Sequence, residues 1–446
     1  MTDRQEEFSM NVQNLQALTL PDAKKAWFVH DRFGLFVHWG LYALPARHEW
    51  VKSREELSDA DYQNYFDHFD PDLYDPRDWA RRARAAGMKY VVLTSKHHEG
   101  FCLWDTKTTD YKVTNTPYGR DLLLPFVEAF RAEGLKIGFY YSLIDWHHPD
   151  FTIDPRHPQR NRPDAVKINE ARDIRRYAAV MREQVRELLT DFGRVDVMWF
   201  DFSYPQWKQG DLVGKGQKDW ESESLVRLVR ELAPDTIINN RLDLADLVPD
   251  IVTPEQYVPR AWPERDGKRM TWEACHTFSG SWGYHRDEDS WKSPEQLIQL
   301  LIGSVAMGGN LLMNVGPTAR GTLDHRAKAA LSAYEEWIAL HGRSIYGCTQ
   351  SEFSAPLDCR LTQNGSRLYI HLFNWPFRHL HFDALAGKIE YAQFLHDGSE
   401  VAWLKPSGNT LWKNSQFPVG EDTVSFVLPV RRPSVTVPVI EVFLKA

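Results

Sequence analysis

The sequence predicts an α/β chain in two parts, a (β/α)8-like (TIM) barrel over residues 1–345 and a C-terminal antiparallel β-sandwich over residues 346–446. Three observations predict it. Between about residues 30 and 340, short β-branched and aromatic runs alternate with segments of helical period, the pattern of a parallel sheet covered by helices. After about Tyr346 apolar residues recur at every second position, as in Arg367-Leu368-Tyr369-Ile370-His371-Leu372-Phe373. Turn signals at Asn364-Gly365, Asp397-Gly398 and Ser407-Gly408 separate such runs. The length, 446 residues, is more than one compact domain usually holds.

Eight candidate strands carry the barrel reading: residues 33–38, 90–95, 136–142, 195–201, 236–241, 250–254, 272–277 and 310–315. The short links around the fifth to seventh predict an irregular barrel. Helix boundaries are marked between them. Asp75-Pro76 supplies an N-cap and a first-turn proline with Asp78 at the third position, and Ser293-Pro294-Glu295-Gln296 has capping-box spacing. Gly308-Gly309 and Gly342 predict C-terminal stops. A doubly wound open sheet is the competing architecture, but no GxGxxG follows the first strand.

Composition narrows the partners. Lys plus Arg number 53 against 61 Asp plus Glu, a net charge of −8, which disfavours nucleic acid and anionic membranes. The N-terminus is polar without a signal-peptide core, and the most apolar stretch, residues 297–315, is broken by Gln299, Gly308-Gly309 and Asn310, so a cytoplasmic location is expected. Four scattered cysteines form no CxxC pair, which predicts neither a zinc ribbon nor a disulfide framework. Seventeen tryptophans exceed what core filling requires and suit stacking on the C–H faces of sugars. The partner expected is a small carbohydrate, with no cofactor; oligomeric state is not readable.

In such barrels the site lies where the strands end, at their C-terminal side. The candidate strands end in His38-Trp39, Lys96-His97-His98-Glu99, Tyr140-Tyr141-Ser142, Trp199-Phe200-Asp201, Asn239-Asn240-Arg241, Pro254-Glu255, Trp272-Glu273 and Asn314. One polar strand end merely marks the exit from the core; eight together predict a mouth of carboxylates, imidazoles, arginine and indoles. That set suits acid–base and nucleophilic cleavage of a polyhydroxylated substrate. Glycoside hydrolysis needs two carboxyl groups. Asp201, emerging from the apolar run at 195–200, is the nucleophile candidate, and Glu255, Glu273 and Glu49 compete as proton donor.

Three longer motifs carry a specific resemblance. Phe33-Gly34-Leu35-Phe36-Val37-His38-Trp39-Gly40, Lys96-His97-His98-Glu99-Gly100-Phe101-Cys102-Leu103-Trp104 and Gly308-Gly309-Asn310-Leu311-Leu312-Met313-Asn314-Val315-Gly316-Pro317 resemble the α-L-fucosidases of glycoside hydrolase family 29, over about residues 25–350. The resemblance implies a (β/α)8-like domain followed by a β-sandwich. It implies a retaining double displacement on terminal α-L-fucosides, with Asp201 as nucleophile. It places His38, Glu49, Trp50, His97, His98, Tyr140, Trp199 and Arg241 against fucose. The segment Thr253-Pro254-Glu255 resembles the one that carries the acid/base in bacterial members, which puts Glu255 first and Glu273 in reserve. Val51 and Asn240 depart from the family pattern, in which Tyr and Asp are usual, and both bear on fine specificity.

Two other functions compete. The three imidazoles with Asp201 could hold zinc in a metal-dependent hydrolase, although no HxH or HExxH spacing occurs and adjacent His97 and His98 would point to opposite sides of a continuing strand. A non-catalytic fucose-binding relative would keep the aromatic mouth without turnover.

Overall fold

The computed structural model describes residues 18–244, 250–405 and 420–445. The expected turn at Ser407-Gly408 lies outside them.

Seven strands form one parallel sheet: β1 (Phe33–Val37), β2 (Tyr90–Lys96), β3 (Lys136–Ser142), β4 (Val197–Asp201), β5 (Ile237–Ile238), β6 (Glu273–Thr277) and β7 (Asn310–Val315). Their spatial order is β6-β7-β1-β2-β3-β4-β5, so the first strand lies inside the sheet with two strands on one side of it and four on the other. All five residues of β1 are buried, as a strand covered on both faces requires. Alternate residues go to two different cores. Leu35, Val37, Val91 and Leu93 face the helices, whereas Phe36, Val92, Tyr140, Trp199, Ile251, Cys275 and Leu312 meet in a second, inner cluster. Gly34 lies between the two layers because any Cβ there would fall 2.4 Å from the Tyr90 ring.

The predicted sixth strand differs in kind. Residues 250–255 form no continuous strand but pair through isolated parallel bridges, Asn239 to Ile251, Val252 to Trp272 and Glu255 to Cys275. Backbone bonds run toward β6 from Val252 N to the Thr271 carbonyl and from Glu273 N to the Val252 carbonyl, both at 2.9 Å, and from Cys275 N to the Pro254 carbonyl at 3.0 Å. On the β5 side, side chains supplement the backbone. Asp250 Oδ2 accepts from Ile238 N at 2.7 Å, Asn240 Oδ1 from Thr253 N at 3.1 Å, and Asn239 Oδ1 from Phe200 N at 2.9 Å. Pro254 has no N–H to offer. These side-chain bonds explain why the predicted fifth strand shrinks to two residues. Among the described residues no helix lies between β5 and β6, where Pro254, Pro259 and Pro263 bar one.

Elsewhere the helix signals hold. The helix Pro76–Ala85 starts with Asp75 accepting from Arg77 N, and Pro294–Ala306 starts with the reciprocal Ser293–Gln296 capping box. Gly308 follows the second with φ +80°, while Gly342 has a right-handed φ and passes into a short 3-10 turn instead of reversing the chain.

Beyond β7 and the helix His325–His341 the pairing becomes antiparallel. Strands β8 (Thr349–Gln350), β9 (Cys359–Asn364), β10 (Arg367–Leu372), β11 (His379–Phe382), β12 (Ile389–Phe394), β13 (Trp403–Leu404), β14 (Val424–Val427) and β15 (Val439–Leu444) form a five-stranded sheet, β8-β9-β10-β15-β12, and a three-stranded one, β11-β14-β13. Both contribute to one apolar core through Leu361, Ile370, Phe382, Ala392, Phe426 and Ile440.

Candidate active site

The C-terminal ends of the parallel strands surround a cavity. His38, Glu49, Trp50, His97, His98, Tyr140, Trp199, Asp201 and Glu255 all line it, together with Phe36, Phe202, Cys275 and Trp282. Every candidate named from sequence except Arg241 and Glu273 is therefore on its wall, and Arg241 bonds to that wall from behind.

Asp201 ends β4, whose preceding residues are apolar and buried. Its Oδ2 accepts from Tyr140 OH at 2.9 Å and its Oδ1 from Arg241 Nη1 at 3.0 Å. Burial raises its pKa, and the guanidinium and the phenol oppose that rise by favouring the carboxylate. The same Nη1 lies 2.8 Å from Glu255 Oε2, whose side chain is more exposed. With 3.0 Å and 2.8 Å to one nitrogen, the two carboxylate oxygens stand at most about 5.8 Å apart. Arg241 is itself stacked on Trp199, 4.7 Å from the ring centroid.

The imidazoles are oriented by what lies behind them. Asn314 Nδ2 donates to the Trp282 carbonyl at 2.6 Å, which turns its Oδ1 toward His38 Nδ1, also at 2.6 Å. His38 thus carries its proton on Nδ1, and Nε2 is an acceptor. Ser142 gives its hydroxyl hydrogen to the Ile144 carbonyl at 2.8 Å, so it accepts from His98 Nδ1 at 2.7 Å and leaves His98 Nε2 an acceptor too. Burial drives the pKa of both rings well below the usual histidine range, and the neighbouring His97 adds to that.

His97 and His98 are not on opposite sides. β2 ends at Lys96, with a register irregularity just before it, and the chain turns so that both rings line the cavity with centroids 4.0 Å apart. Lys96 itself points into the core, paired with Asp145 at 3.1 Å. Glu49 accepts from Gly283 N at 2.9 Å and so anchors the loop that carries Trp282.

Glu273 is placed elsewhere. It begins β6, and β6 runs toward the cavity, so its carboxyl lies deep in the inner core. It accepts from Tyr90 OH and, at 3.3 Å, from Trp199 Nε1. Burial pushes its pKa up to about 7.

Four lining residues lie outside the set expected from sequence. Phe36 and Cys275 share the inward parity of His38 and Glu273, two positions away along their strands, and that alternation could have found them. Phe202 and Trp282 sit in loops, where no periodicity points to a cavity. Among the described residues no group of three His, Cys, Asp or Glu side chains is placed to hold a metal ion. No described helix is long and apolar enough to cross a membrane.

Two carboxylates held on one guanidinium, beside neutral imidazoles and indoles at the ends of parallel strands, define a carbohydrate-cleaving hydrolase. Comparison with known proteins narrows the class. The family model Alpha-L-fucosidase matches residues 1–343, and the chain belongs to the α-L-fucosidase family of glycoside hydrolases. The tissue α-L-fucosidase of Mus musculus is 27% identical over 399 residues, 83% of this chain and 81% of that protein. The structure of α-L-fucosidase isoenzyme 1 from Paenibacillus thiaminolyticus is similar with a TM-score of 0.88 and 42% identity, covering 95% of this chain and 99% of that one. A family 29 α-L-fucosidase of Bacteroides thetaiotaomicron, trapped as a covalent intermediate with 2-fluoro-fucosyl fluoride, is similar with a TM-score of 0.81 and 27% identity over 96% of this chain and 97% of that one.

Proposed function

We propose that this α-L-fucosidase releases terminal α-L-fucosyl residues with retention of configuration, Asp201 attacking the anomeric carbon and Glu255 serving as general acid and then base. The single observation that carries the assignment is the shared bond to Arg241 Nη1. Its limit of about 5.8 Å between the two facing oxygens supports the close pair of about 5 to 5.5 Å found in retaining glycosidases. The covalent intermediate trapped in the Bacteroides thetaiotaomicron relative supports the same course.

In the first step an Asp201 oxygen bonds to the anomeric carbon as the glycosidic bond breaks, and Glu255 gives its proton to the departing oxygen. In the second, water adds to that carbon, loses its proton to Glu255, and frees Asp201. Arg241 and Tyr140 keep Asp201 ionised until it attacks. His38 and His98 accept hydrogens from sugar hydroxyls through Nε2, and Phe36, Phe202 and Trp282 give the cavity an apolar side suited to a deoxy sugar's methyl group. The parallel sheet, its gap spanned by residues 250–255, reads as an irregular (β/α)8-like barrel, and the two antiparallel sheets as a sandwich, with the boundary at 345/346. Glu273, bonded beneath Trp199, is not the acid/base in this reading.

Alanine variants test the two roles on p-nitrophenyl α-L-fucoside. Asp201→Ala should lose about a thousandfold or more in kcat, and azide should restore turnover to Glu255→Ala but not to Glu273→Ala. Azide rescue of Glu273→Ala alone would reverse the assignment.

A further inference from the structure

Outside the cavity, the loops that follow β3 and β4 are locked together by buried polar bonds. Asp154, fully buried, receives Lys215 Nζ at 2.5 Å and Tyr204 OH at 2.6 Å on Oδ2, and the Arg156 and His157 amides at 2.8 and 3.0 Å on Oδ1. Gln209 Nε2 donates across the same seam to Asn161 Oδ1 at 2.8 Å. This seam fixes Arg156 against Trp207. The guanidinium lies 3.7 Å from the Trp207 ring centroid, and 5.8 Å from the rings of Trp50 and Phe202, both of which line the cavity.

Two features of this stack have no structural use. Trp207 keeps 47% of its surface exposed, although burying an indole would stabilise the fold by more than leaving it in water. Arg156 covers part of the ring, and nearly half of the side chain still meets solvent. Arg156 Nε is buried without a hydrogen-bond partner, and the acid beside it, Asp154, has both oxygens engaged. An exposed indole surface beside a guanidinium, at the rim of a sugar cavity, is what a second pyranose needs.

We propose that Trp207 and Arg156 form the leaving-group subsite: the sugar that carries the fucosyl residue stacks its C–H face on the exposed indole while its hydroxyls accept from the Arg156 guanidinium. The inference rests on cleavage in the adjoining cavity by Asp201 and Glu255. It implies an enzyme built for fucosylated oligosaccharides rather than for fucosides of small alcohols.

The test compares kcat/KM on a panel of fucosyl disaccharides with kcat/KM on α-L-fucosyl fluoride, whose leaving group is too small to reach Trp207. The ratio of the two should fall roughly tenfold in Trp207→Ala and by less in Trp207→Phe, which keeps a ring. Arg156→Gln should lower the same ratio. A general loss of folding or of cavity shape lowers both constants together and leaves the ratio where it was. An unchanged ratio in Trp207→Ala overturns the proposal, as does a ratio that falls only in Tyr257→Ala, the exposed aromatic on the Glu255 side. Wild-type enzyme that turns over the fluoride but none of the disaccharides also overturns it, whereas wild-type enzyme inactive on both would count against the assignment of the cavity itself.

Discussion

His38 shows how much of this site is decided one atom behind the wall. Its Nδ1 faces an amide whose orientation is fixed by the Trp282 carbonyl, so the ring presents a lone pair and not a proton to the cavity. In 15N spectra, His38 should appear as the Nδ1-protonated neutral tautomer across neutral pH. Asn314→Ala should abolish that preference and lower kcat/KM about ten- to a hundredfold, the cost of a misplaced buried donor. Glu273 makes the opposite kind of prediction. Its folded pKa, about 7, is raised above that of an unfolded glutamate, so the stability it contributes is complete below about pH 4.3 and is lost as pH rises toward 7. Thermal melts of Glu273→Gln and wild type should therefore diverge over that window, the variant gaining about 3 kcal/mol relative to wild type by neutral pH. A parallel pair of melting curves would show that Glu273 is ionised in the folded protein.

At the scale of elements, the loops do the positioning that the strands begin. Phe202, immediately after Asp201, has φ +94°, a conformation that bulky residues rarely adopt, and it turns the chain out of β4 while placing its ring on the cavity wall. The buried Asp154–Lys215 pair then holds the returning chain. Removing one partner leaves the other charge buried and alone, so Asp154→Ala should cost about 3 to 5 kcal/mol in denaturant unfolding. Lys215 already has its pKa lowered by burial, so it can shed its charge and soften that loss at high pH. Strand ends were readable in advance because each polar residue follows an apolar run. Phe202 and Trp282 were not, since a loop's path is set by partners distant in sequence, such as the Gly283 amide on Glu49.

Across the whole molecule, the parallel and antiparallel parts share apolar surface. Tyr369, Leu395, Val437 and Val439 belong to the same core as the helix His325–His341, where Trp337 Nε1 donates to the Val437 carbonyl at 3.2 Å. Arg343 pairs with Glu441 at 2.5 Å across the same seam. A chain ending at residue 345 should therefore aggregate or melt well below the full-length protein, by circular dichroism, because it exposes the Trp337 face without its cover.

Chain-local patterning suffices for the alternation that makes a parallel sheet, the switch to period two after Tyr346, the helix caps at Asp75 and Ser293, and the polar strand ends that converge. These are local, and a residue's neighbours in the chain suffice to impose them. Long-range packing selects which glutamate meets Asp201, brings His97 and His98 to the same cavity, and breaks the pairing of residues 250–255 into isolated bridges. Each depends on a contact between segments far apart in the chain, Arg241 with Asp201 and Glu255, Glu273 with Tyr90 and Trp199, and such contacts are fixed by packing and burial, which no spacing along the chain records.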